Sequence, residues 1–92
     1  MKFNVKGMTN TAKALINNSK QTMKEKNYEQ ARAEKEDIES YMEYLGKQWR
    51  EANKNETFKK DPNFNTKHQK LLKARDKLAT ALVNIVKFLK TE

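Results

Sequence analysis

The side chains able to do chemistry in this chain are few in kind. There is one histidine, His68, and no cysteine. With that inventory a zinc site, a Cys–His pair or a Ser–His pair is close to excluded. His68 stands in a lysine-rich helical turn and is expected to face solvent. Glu36, Asp37, Glu39 and Glu43 could offer oxygens to a hard cation, but no second segment supplies matching carboxylates. They read as a solvated face that pairs with lysines. No glycine-rich phosphate loop is present. The expectation is therefore a binding protein with no catalytic residues, no metal and no cofactor.

The basic residues are the stronger signal. Lysine outnumbers arginine 17 to 3, and the formal net charge is +8. Such a balance favours acidic partners: nucleic acid, nucleotides, anionic lipid or an acidic protein. The charge is uneven. Residues 1–27 hold six lysines and one acid, residues 28–55 five basic and seven acidic residues, and residues 56–92 nine basic and four acidic. The outward lysines of the two basic segments have no obvious internal partner. Lys13, Lys20 and Lys24 recur on one side of the first basic segment, and Lys67, Lys70, Lys73 and Lys77 open the second. We expect an anion site built from Lys20, Lys24 and Arg75, helped by Lys70 or Lys77. Lysine is a point charge suited to phosphates and not to base edges, and no helix-turn-helix spacing is visible. Lysines that only keep a small bundle soluble are the plain alternative.

The elements that must position these residues are helical. At 92 residues there is room for one domain. Two glycines and one proline leave few breakers. Phe3 and Val5 alternate with polar neighbours, so residues 1–8 read as a short extended arm. A first helix over about 10–26, capped by Thr9, Asn10 or Thr11, carries Met8, Ala12, Leu15, Ile16, Ser19 and Met23 on one face. A break falls at Asn27. A second helix over about 28–54 carries Tyr28, Ala31, Lys35, Ile38, Met42, Leu45, Trp49 and Ala52 in a three–four alternation. Gly46 beside that seam is expected to permit a close approach or a bend. Residues 55–64 are a loop, with Asp61-Pro62 as a cap and first turn and Phe58 and Phe64 as anchors. A last helix over about 65–90 has its seam at Leu71, Arg75, Leu78, Leu82, Ile85 and Leu89. The fold expected is all-α: a three-helix antiparallel bundle or long helical hairpin.

Two charges, Lys35 and Arg75, fall on seams. Each is expected to pair with an acid of the second helix, or Arg75 holds an anion in a fork at a pocket or symmetry interface. The apolar face of the last helix is wider than two short neighbours can cover, which suggests a homo-oligomer. Val83, Val86 and Phe88 are the candidate contacts, with Tyr44 as a further exposed aromatic. The apolar run Ala79–Leu89 is too short to span a bilayer, and the N-terminus lacks an apolar run of signal-peptide length. A cytoplasmic protein is the expectation.

Residues 27–41, about a sixth of the chain, resemble the helical hairpin found at the end of UvrB and in UvrC. The matching residues are Tyr28, Glu29, Ala31, Asp37 and Ile38; Arg32 and Glu34 depart from it. Residues 74–89 resemble the last helix of small phage anti-CBASS sponge proteins through Ala74, Arg75, Leu78, Thr80, Leu82, Val86 and Lys87. Ala81 and Lys87 stand where that family more typically has glycine and arginine. This resemblance implies a phage-encoded helical oligomer that sequesters a cyclic nucleotide signal in the host cytoplasm. Two other classes stay open. One is a protein-interaction module, such as a bacteriocin-immunity bundle or a partner of WXG-type secretion substrates, although Trp49 is followed by Arg50 and Glu51 and not by a Trp-x-Gly turn. The other is a nonspecific nucleic-acid binder.

Overall fold

The computed structural model describes residues 4–92. Four helices follow one another: α1 (Val5–Lys24), α2 (Tyr28–Lys54), α3 (Glu56–Lys59) and α4 (Phe64–Leu89). The three long ones pack lengthwise into an all-α bundle 49 Å long and 17 × 16 Å across, with no strand among the described residues.

The first helix begins earlier than the sequence pattern suggests. Asn4 is its cap, and its side-chain oxygen accepts the Gly7 amide at 2.9 Å. A Cβ at Gly7 would lie 2.6 Å from the Asn4 side-chain nitrogen, so a larger residue there would make the Asn4 side chain shift. Val5, expected in an extended arm, is therefore helical and buried, and Met8, expected on the helix's apolar face, is buried with it. Phe3 lies outside the described residues. Thr9 and Thr11 do not cap; their hydroxyls donate back to the Lys6 and Gly7 carbonyls.

The break before α2 is a Schellman turn. The Lys26 amide donates to the Met23 carbonyl and the Asn27 amide to the Thr22 carbonyl, with Lys26 in the left-handed region at φ 57°. Asn27 then caps α2 by accepting the Gln30 amide. At the far end Asn55 accepts the Phe58 amide and starts the one-turn α3 inside the segment expected to be a loop. Phe58 is buried and meets Phe64 edge-on, so both phenylalanines do anchor this connection. Asp61 accepts the Asn63 amide and pairs with Lys67, organising the entry to α4.

In α2 the fully buried positions are Ala31, Ile38, Leu45 and Ala52, one per heptad. In α4 they are Leu71, Leu78 and Ile85, flanked by buried Ala74 and Ala81. Because α4 must face both α1 and α2, its core line turns toward Ala74 and Ala81. Arg75, expected on the seam, is left exposed, and Leu82 is only half-buried. Tyr28 stacks on Phe88 at one end and Trp49 on His68 at the other, so α2 and α4 are antiparallel. Tyr41 reaches the Met8 carbonyl across the α1–α2 contact at 3.3 Å, and burial raises its phenol above the ordinary value of 10.0. One buried polar group has no hydrogen-bond partner among the described residues: Oε1 of Glu34, a residue 7% exposed.

Candidate functional site

With α2 antiparallel to both neighbours, α1 and α4 run parallel and side by side. Small buried residues, Ala12 and Ser19 on α1 and Ala74 and Ala81 on α4, lie along the seam between them. Buried Ser19 is tolerated because its hydroxyl donates to the Ile16 carbonyl of its own helix. Above this seam lie two adjoining depressions. The first is lined by Thr9, Ala12, Lys13, Ile16, Lys70, Lys73, Ala74 and Lys77. The second continues with Ser19, Lys20, Met23, Thr80, Ala81 and Asn84, and shares Ile16 and Lys77 with the first. From Thr9 to Met23 they make one groove of roughly 21 Å at about 1.5 Å per residue.

Five lysines line this groove: Lys13 and Lys20 from α1, and Lys70, Lys73 and Lys77 from α4. No acid lines it, and none of the five takes part in an ion pair among the described residues, where the pairs are Arg32–Glu92, Lys35–Glu39 and Lys67–Asp61. Like charges spaced within about a Debye length of 8–10 Å reinforce one another's potential. The floor is apolar, with Ile16 and Met23 half-exposed.

Of the residues expected to bind an anion, Lys20, Lys70 and Lys77 are brought together here. Lys24 is exposed near the end of α1 and lines neither depression. Arg75 is on the opposite side of α4. Its stem lies over Gly46 of α2, where a Cβ would come 3.4 Å from Nε, and Arg50, Glu39 and Glu43 line the same depression. A side chain at Gly46 would make only ordinary van der Waals contact with Arg75 and Arg50, so the expected close approach is not what this glycine provides. Arg75 forms no ion pair among the described residues, whereas Lys35 pairs with Glu39 within α2. Lys13 and Lys73 complete the groove. Their signal was present in the sequence: Lys13 lies seven residues before Lys20, and Lys73 sits between Lys70 and Lys77.

The expected contact residues are dispersed. Val83 on α4 is 52% exposed, and Val86 is half-buried. Phe88 is engaged inside the fold, stacked on Tyr28 at 4.5 Å. Tyr44, 44% exposed, belongs to a separate depression between α1 and α2 with Leu15 and Tyr41.

His68 does not face solvent as expected. It is half-buried between Trp49, at 4.5 Å and 6° between ring planes, and Phe64, at 4.9 Å. Its Nε2 bonds the Trp49 carbonyl at 3.0 Å. Two aromatic faces and a carbonyl account for this ring structurally, as a clamp between α2 and α4. Among the described residues no cluster of three or more His, Asp or Glu is arranged to hold a metal ion, and no helix is long and apolar enough to cross a membrane.

No family model matches the chain, and no curated protein or solved structure matches it.

Proposed function

We propose that the chain is a non-enzymatic binding protein that holds an anionic partner along the groove between α1 and α4. The observation that carries this reading is the convergence of Lys13, Lys20, Lys70, Lys73 and Lys77 on one groove that contains no acid. The two helices fix where the lysine stems begin, and the flexible stems let the ammonium groups gather on an arriving anion. The acids of α2, Glu36, Asp37, Glu39 and Glu43, lie on another helix and line neither part of the groove.

Calorimetric titration tests this. The panel contains inorganic tripolyphosphate, a cyclic dinucleotide, a cyclic trinucleotide, duplex DNA and a polyglutamate peptide, each at 50 and 300 mM salt. At least one class should bind and weaken as salt rises. Absence of binding by every anion at low salt would overturn the reading and leave the lysines as solubilising charge.

A further inference from the structure

We infer that the anionic partner is an acidic amphipathic helix, docking in the groove as a fourth helix of the bundle. This rests on the preceding reading, that the α1–α4 groove takes an anion, and names the anion's form.

Shape comes first. A groove of roughly 21 Å between two parallel helices is a site for a rod about four helical turns long. Its floor carries Ala12, Ala74 and Ala81, and small residues let another helix approach to the short end of the usual 8–10 Å interaxial range. Ile16 and Met23 are half-exposed on the same floor and offer apolar surface that a bare phosphate chain would leave wet.

Charge spacing comes second. Lys13 and Lys20 on one flank are seven residues apart, as are Lys70 and Lys77 on the other, with Lys73 between them. Seven residues is the repeat at which a straddling helix returns the same face. A partner with apolar residues at a and d and acids at e and g would set one carboxylate near each lysine. The aliphatic lysine stems would cover the edges of its apolar stripe.

The third argument is what the groove lacks. No aromatic ring and no arginine line it, so a nucleobase has nothing to stack on and a phosphate finds no guanidinium fork. A nucleic-acid duplex presents only its phosphates and sugars to such a groove and leaves the apolar floor uncovered. A helix uses both the lysines and the floor; a nucleotide or a duplex uses only the lysines.

The full chain should be titrated with three fluorescent probes, read by anisotropy. The first is an 18-residue peptide with Leu and Ala at a and d and Glu at e and g. The second has the same composition with the heptad scrambled, and the third is a cyclic dinucleotide. The heptad peptide should bind at least tenfold tighter than the scrambled one and shift the Ile16 and Met23 methyl resonances. The triple variant Lys13→Glu, Lys73→Glu, Lys77→Glu should lose that binding by tenfold or more. A peptide with Lys in place of Glu should restore it, which a misfolded variant could not do. Equal binding of heptad and scrambled peptides, or tighter binding of the dinucleotide, overturns the helix inference and leaves the anion-binding reading standing. A peptide-free dimer that the triple variant abolishes would assign the groove to a second copy and also overturn it. If no probe binds, the helix inference is overturned, and the anion panel above decides whether the anion-binding reading falls with it.

Discussion

Glu34 offers the sharpest test of the packing. The residue is 7% exposed, and its buried Oε1 has no hydrogen-bond partner among the described residues. A buried acceptor left without a partner costs about 1–3 kcal/mol, since its water is lost and nothing replaces it. In Glu34→Met the chain length and helix propensity stay nearly the same. The unsatisfied oxygen goes, and about one more methyl-sized group is buried, worth roughly 0.8 kcal/mol. The variant should gain at least about 2 kcal/mol, the low end of the sum. For a domain of this size each kcal/mol moves Tm by about 4–8 °C, so Tm should rise by roughly 10 °C. Thermal unfolding followed by circular dichroism reads this directly. Glu34→Gln keeps an unsatisfied acceptor and adds a donor, so it should gain much less. A Met variant no more stable than the parent would show that the carboxyl contributes to the fold, refuting the packing described around it.

Three further outcomes follow from the geometry. Lys26→Gly removes the cost of a side chain at φ 57° and should stabilise by about 1 kcal/mol in urea denaturation. His68→Ala removes two ring contacts and the bond to the Trp49 carbonyl; it should cost about 2 kcal/mol and shift Trp49 emission to longer wavelength. Asp61 is held below its ordinary value of 3.8, first by the hydrogen bond from Lys67 and then by the Asn63 amide. Its folded pKa is the lower one, so its contribution is present above 3.8 and is lost as pH falls through the folded value. Asp61→Asn should therefore lower Tm at neutral pH, and the two melting curves should converge in acid.

The long helices were legible because burial repeats along them: Ala31, Ile38, Leu45 and Ala52 in α2, and Leu71, Leu78 and Ile85 in α4. The start of α1 was not, because Thr9, Asn10 and Thr11 are credible caps and the deciding bond, from the Gly7 amide to Asn4, lies further toward the N-terminus. A four-residue helix such as α3 is too short to show a period. The lysine stripes were visible residue by residue, but which helix lies beside which was not. Spacing alone put Arg75 with Leu71 and Leu78, whereas contact with both α1 and α2 turns it out over Gly46. His68 was misplaced for the same reason: Trp49, its main partner, is distant in sequence and local patterning carries no sign of it.

The placement of the site is tested most directly by two neutralised variants assayed with one probe. Lys13→Gln, Lys73→Gln, Lys77→Gln removes charges that line the α1–α4 groove, and Lys24→Gln, Arg75→Gln removes charges that lie outside it. Each is titrated with the acidic heptad peptide and with tripolyphosphate at 50 mM salt, after circular dichroism confirms the fold. The groove variant is expected to lose at least tenfold in affinity, and the outside variant less than threefold. The reverse order, or equal losses, would contradict a binding site between α1 and α4.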